Sequence, residues 1–216
     1  MASHTDEAVG RKEIQMQILD ALAQRILLGG LYTLFAVGLS IMFGVMRIVN
    51  LAHGDFAILA AFLAILLVGE TSFPVWLVVA ITVPTFAAIG YFLQRTLFQQ
   101  SLNSGPLSTL LVTFGMSIVI QNALLEAFSA NPQRLDVGQL ATASFPVGPI
   151  AIPYIGVLGL VLAILCIVAI ELFLRRTATG RMTRAVSDDP DTARLTGANS
   201  RHIYGLATGI AFGAVA

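Results

Sequence analysis

Two short stretches hold most of the residues that could do chemistry. In RIVNLAHGD, Arg47, Asn50, His53 and Asp55 fall within nine positions, with Gly54 between the last two. Ionisable groups inside a membrane often pass protons, so His53 and Asp55 are candidates for a relay. No second station for such a relay stands elsewhere in the chain. Asn50 and His53 could also satisfy backbone groups freed where a helix breaks, and Gly54 permits a sharp backbone turn. Two readings follow. These residues brace a re-entrant corner, or they line the path of a transported molecule. The second stretch, residues 175–200, reads RRTATGRMTRAVSDDPDTARLTGANS and is the only long hydrophilic run between two apolar blocks. Ser187, Asp188 or Asp189 can cap a helix there, because their oxygens accept from free backbone N–H groups. Pro190 suits the first helical position, where its missing N–H costs nothing. Ala193, Arg194 and Leu195 continue the turn, and Gly197 is placed to end it in a left-handed conformation. The spacing predicts a short helix of about two turns near 189–197, with definite start and stop signals. A solvated linker needs no such signals, so a docking element is expected.

The motifs of enzymes are missing from the sequence. It contains no HExxH, GxSxG, Walker A or paired-cysteine pattern. Cys166 is the single cysteine and sits in an apolar run, where it reads as a small hydrophobe without an internal disulfide partner. No metal, cofactor or catalytic residue is therefore expected.

These stretches must be positioned by membrane helices. Of 216 residues, 56% are hydrophobic and 11% charged, with a mean hydropathy of +0.84. Soluble domains carry about 25% charged residues, so the chain belongs in a bilayer. The formal net charge is zero, which implies no nucleic-acid partner. Residues 1–25 read as a polar, then interfacial, segment without a signal-peptide cleavage site, with Ile14, Ile18, Leu19 and Leu22 on one face. Residues 26–216 read as the membrane domain. Apolar runs at 26–46, 56–68, 73–98, 107–128 and 154–174 are candidate spans, and a sixth begins at 202. Pro84 is expected to kink the third, and Gln121, Asn122 and Glu126 lie near the end of the fourth. Residues 129–153 read as an extramembrane loop whose Phe145, Val147 and Ile150 pack on the protein. The fold class predicted is an all-α polytopic bundle with a broken segment near 47–55.

Arg175, Arg176, Arg181, Arg184, Arg194 and Arg201 cluster around the hydrophilic stretch, which places it in the cytoplasm and the 129–153 loop outside. In the last run Gly205, Gly209 and Gly213 recur every fourth residue, a small-residue face that lets another helix backbone approach. That run stops after about 14 residues, short of the roughly 20 that a span requires, so a fragment or truncated product is expected.

Two stretches resemble a known family. GGLYTLFAVGLSIMFGVMRIVNLAHGDFAILAAF (residues 29–62) is similar to the opening of LivH-type permeases, membrane subunits of ATP-binding-cassette importers for branched-chain amino acids. GRMTRAVSDDPDTARLTGANSRHI (residues 180–203) resembles their cytoplasmic docking loop, and LLVTFGMSIVIQN (residues 110–122) their fourth span. The resemblance implies a non-enzymatic half-channel in a bacterial inner membrane. It implies two cytoplasmic ATPase subunits, a second related permease and a periplasmic substrate-binding protein as partners. Residues 188–197 would form the coupling helix, and Asn50, His53 and Gly54 a signature corner. Related permeases carry urea or short amides, and no residue here excludes them. An ion-gradient-driven carrier and a non-transporting membrane scaffold are the competing classes.

Overall fold

The computed structural model describes residues 2–71, 73–129, 131, 133, 143–147, 150–195 and 197–216. Among the described residues, nine α-helices follow in order: α1 (Ala2–Met46), α2 (His53–Thr71), α3 (Val75–Leu93), α4 (Gln99–Asn103), α5 (Pro106–Phe128), α6 (Tyr154–Arg176), α7 (Ala178–Asp188), α8 (Pro190–Leu195) and α9 (Ser200–Val215). A hairpin of β1 (Ser144–Val147) and β2 (Ile150–Pro153) precedes α6. Four segments are long and apolar enough to cross a membrane: Ile14–Met46, Val75–Asn103, Leu107–Phe128 and Tyr154–Arg176. A shorter apolar helix covers His53–Gly69. The chain is an all-α, multi-pass membrane protein.

The chain divides into two compact units. One is drawn from Met1–Thr33 and Val137–Cys166. Within it, Gly30 lets α1 approach α6 closely, since a Cβ there would stand 2.8 Å from the Leu160 Cα. The β1–β2 hairpin pairs in antiparallel register, Phe145 opposite Ile152. It falls in a segment read from sequence as loop only. Phe145 meets the Tyr154 ring at 4.8 Å yet stays half exposed. The burial of Val147 and Ile150, and residues 130, 132, 134–142, 148 and 149, lie outside what is described.

The other unit, Leu34–Asp136 with Ile167–Ala216, carries the main core. Met42, Met46, Phe56, Phe86, Phe98, Ala211 and Phe212 are buried together there. Local chemistry explains most element ends. Gly105, at φ 102°, turns the chain before Pro106 starts α5. Thr177 accepts from the Gly180 N–H to open α7, and Asn199 accepts from the His202 N–H to open α9. Thr82 and Thr85 donate to the carbonyls of Val78 and Ile81, so these hydroxyls need no partner outside their own helix.

Several expectations change. α1 is continuous through residues 25 and 26, because nothing there breaks a helix. α3 continues through Pro84, and the irregular turn lies further on, a π-helical turn at Gln94–Phe98. Gly54 does not make the sharp turn of the first corner. Arg47, at φ 55°, does, while Gly54 sits in the first turn of α2. Residues 178–188, part of the hydrophilic run in which a helix was expected only near 189–197, form α7.

α9 runs against α3 on its glycine face. A Cβ at Gly205 would meet the Tyr91 ring at 2.7 Å, and one at Gly209 the Ala87 carbonyl oxygen at 2.8 Å. At Gly213 the nearest atom is the Ala87 Cβ, at 3.3 Å. From α3, a Cβ at Gly90 would stand 2.8 Å from the Thr208 carbonyl oxygen. A ring or methyl can shift, whereas a helical carbonyl moves only with its helix. Gly209→Ala is therefore expected to destabilise the protein by about 1–3 kcal/mol, the usual range for overpacking, and Gly213→Ala by less. Thermal unfolding in detergent checks the order. Equal Tm values for the two variants would contradict this packing.

Candidate functional site

Six residues separate the end of α1 from the start of α2. The Arg47 N–H donates to the Phe43 carbonyl at 2.8 Å, and the chain then turns left-handed. Asn50 closes the turn. Its Oδ1 accepts from the Ala52 N–H at 3.0 Å, its carbonyl accepts from the His53 N–H at 3.2 Å, and its Nδ2 lies 4.0 Å from the Met42 sulfur. Asn50 and His53 are each only 2% exposed, whereas Arg47 and Gly54 are exposed.

His53 is packed rather than bonded. Its ring lies 6.0 Å from the Phe212 ring, and Phe56 stacks on the same ring at 4.3 Å. Neither imidazole nitrogen has a partner at strict hydrogen-bond geometry; the Phe35 backbone is a looser one. Gly38 of α1 makes room for the imidazole, since a Cβ there would stand 2.6 Å from Cε1. Gly38 was not singled out from sequence, because one glycine in an apolar run carries no signal of what it faces.

Asp55 points elsewhere. Its Oδ1 accepts from Nε2 of Gln121 on α5 at 2.9 Å, and the same Nε2 lies 3.1 Å from the Ser117 hydroxyl. His53 and Asp55 thus serve different contacts, and the two do not form a relay pair. A second buried polar contact joins α3 to α9, where the Thr208 hydroxyl donates to Gln94 Oε1 at 2.8 Å. Gln94 opens the π-helical turn.

The hydrophilic segment folds as a capped unit. Asp189 is the cap: its Oδ1 accepts from the N–H groups of Asp191 (3.0 Å) and Thr192 (3.2 Å), and its Oδ2 from the Thr192 hydroxyl. Asp188 instead ends α7, and Ser187 donates to the Gly44 carbonyl of α1. Pro190 begins α8, and Gly197, at φ 89°, lies just beyond it. The bonds from Thr192, side chain first and then backbone, hold the Asp189 carboxyl below its ordinary range. Ala193 is buried against Val186 and Ile203, with Val45 and Tyr204 around them. Arg194 donates to the Ser200 hydroxyl at 3.2 Å and pairs with Asp191 at 3.4 Å. Leu195 is 88% exposed. A cleft of about 220 Å³ runs between Val45, Met46 and Arg47 on one side and Val186–Pro190 on the other.

At the same end of α9, Arg95 donates to the Tyr91 hydroxyl (3.2 Å), and that hydroxyl is also hydrogen-bonded to His202 Nδ1 at 2.9 Å. Among the described residues, no three His, Cys, Asp or Glu side chains gather as metal ligands would.

No solved structure matches the chain. Named relatives do. The chain is 27% identical over 213 residues to the high-affinity branched-chain amino acid transport system permease protein BraD of Pseudomonas aeruginosa, covering 92% of this chain and 69% of that protein. It is 27% identical over 218 residues to the permease protein LivH of Salmonella typhimurium, and 24% identical over 216 residues to LivH of Escherichia coli, each match covering 93% of this chain and 70% of the relative. The family model described as "Branched-chain amino acid transport system / permease component" matches residues 21–216. With an interrupted pair of membrane helices, a capped polar segment beside the break and that match across nearly its whole length, the chain belongs to the branched-chain amino acid transport permease family.

Proposed function

We propose that this permease works in an ATP-binding-cassette importer of a bacterial inner membrane, carries branched-chain amino acids, and takes its drive from a cytoplasmic ATPase through α8. Two ATPase subunits, a second related permease and a periplasmic substrate-binding protein complete the assembly. The observation that carries the reading is the contrast along α8. Ala193 is buried against the permease core and Leu195 is 88% exposed, two residues apart on a helix of six. Leu195 therefore presents an apolar side chain outward from a capped helix, where a partner can cover it. The names of the relatives supply the substrate class. The arginines around α7 and α8 support a cytoplasmic side for the segment.

The corner residues take the bracing role in this reading. Asn50 satisfies the backbone of the break, and His53 fills the space that Gly38 leaves. Arg47 and Gly54 face outward beside them. Asp55 alone of the five turns its side chain to α5.

Two outcomes are expected. Leu195→Asp puts a charge into the contact with the ATPase. The yield of co-purified ATPase should fall about tenfold, the effect of about 1.4 kcal/mol, with the permease itself recovered normally. Unchanged ATPase yield would refute docking through Leu195. The second outcome concerns pH. The Asp189 carboxyl is held lower in the folded state than in the unfolded one. Its contribution to α8 is therefore fully present above the ordinary carboxylate range and lost as pH falls through the lowered value. Hydrogen-exchange protection of the Asp191 and Thr192 amides should drop across that acidic window. In Asp189→Ala it should already be low at neutral pH, with no such step.

A further inference from the structure

The seam between α2 and α5 carries three features in sequence. At one end lies a cleft of about 380 Å³, lined by Ile65, Leu66 and Gly69 of α2, by Ala127 and Phe128 of α5, and by the polar Ser129 and Gln133 that follow. That is within the range of small-molecule sites, about 300–1,000 Å³. Next, the Phe62 and Phe128 rings meet at 4.4 Å. Beyond them Gln121 donates to Asp55. Asp55 precedes Phe62 by as many residues as Gln121 precedes Phe128, so the two helices run side by side in one direction. At 1.5 Å per residue the Asp55–Gln121 contact lies about 10 Å along the seam from the ring pair.

Asp55 is an unusual resident of such a seam. It is 8% exposed and lies in an apolar helix. Among the described side chains no cation lies within ion-pair distance, the two ion pairs being Glu171–Arg175 and Asp191–Arg194. Its bond comes from a neutral amide. Gln121 is itself exposed on α5, as are Asn122 and Glu126, a poor surface to turn toward lipid. A carboxylate kept in a membrane helix without a cation is suited to receive one that arrives and leaves. The cleft and rings beside it suit a short hydrocarbon group.

We infer that the α2–α5 seam is a substrate path with two successive stations: the cleft first takes the aliphatic side chain of an amino acid, and Asp55, oriented by Gln121 and more than about 10 Å further along, takes its α-ammonium group once the substrate has moved past the ring pair. The inference rests on the permease reading and names the polar station that reading lacks. Beyond the ring pair the ammonium donates to the Asp55 carboxylate, while the Gln121 amide, held also by Ser117, stays turned toward it.

The test is uptake of labelled leucine into proteoliposomes that hold the assembled importer and internal ATP. Asp55→Asn keeps an oxygen to accept from Gln121 and removes only the charge. It should cut uptake about tenfold (about 1.4 kcal/mol), with Asp55→Glu recovering part of the loss and the complex recovered in normal amount. Uptake by Asp55→Asn within about twofold of the wild type would overturn the inference. So would wild-type uptake that collapses with a protonophore while the residual uptake of Asp55→Asn does not, since Asp55 would then carry a proton. Should Asp55→Asn fail to assemble, Gln121→Cys in a Cys166→Ala background decides. Leucine should slow thiol labelling at position 121, and labelling indifferent to leucine would overturn the inference. If the wild type shows no ATP-dependent leucine uptake, the permease reading itself fails, and the inference with it.

Discussion

Stopping one apolar helix and starting another within six residues leaves backbone groups at both helix ends in need of partners. The second unit is arranged around meeting that demand. Asn50 takes the Ala52 N–H on its side chain and the His53 N–H on its carbonyl. The Arg47 N–H takes the Phe43 carbonyl. The Gly44 carbonyl, one of the last four of α1, accepts from the Ser187 hydroxyl. That donor comes from the end of α7, at the entrance to α8. The segment proposed to meet the ATPase is thus also part of the cap on the broken helix, and neither can shift without changing the other's hydrogen bonds.

The α3–α9 contact supports the corner from the other side. Glycine at 90, 205 and 209 brings the two backbones to a separation that a methyl group would spoil. At that separation Thr208 reaches Gln94, and Phe212 covers both His53 and Phe56. Between membrane helices the apolar effect offers no net pull, so close packing and a few internal hydrogen bonds supply the cohesion. Gln94 reaches Thr208 from the π-helical turn. Such turns are rare and often stand at functional positions. Here the turn sits where α3 leaves its contact with α9 and continues toward α5.

Much of this was legible in the sequence, and the reasons differ by element. The apolar runs announced the spans because the length needed to cross a bilayer is set by physics. Asp189, Pro190 and Gly197 announced α8 because helix ends have strict local chemistry. α7 was missed although Thr177 caps it through the Gly180 N–H, since its polar residues lack the Pro and Gly punctuation that marked α8. The turn at Arg47 was not legible at all. A left-handed arginine is set by the path of the chain around it rather than by its own preference, so glycine beside it drew the expectation. Pairings over long separations, Asp55 with Gln121 or Gln94 with Thr208, leave no trace in a single sequence. Each residue was visible as polar in an apolar run, but the partner was not.

The position of Asp55 gives the broken helix a purpose that a continuous one would not serve. A helix passing through this region unbroken would have its start at the membrane surface. Here α2 starts at His53, so its first-turn carboxylate lies opposite Gln121, fifteen residues into α5 from Pro106. That places the helix start, where a negative charge is favoured by the macrodipole, about 22 Å along the neighbouring helix. The first turn of a helix favours that charge through the backbone itself, and among the described side chains no cation pairs with it. The same backbone connects the carboxylate to the rest of the machinery. Only the corner, braced by Asn50 and His53, separates Asp55 from the Gly44 carbonyl that Ser187 holds. From Ser187 of α7, one hydrogen bond and about eleven residues of bonded chain lead through the corner to Asp55.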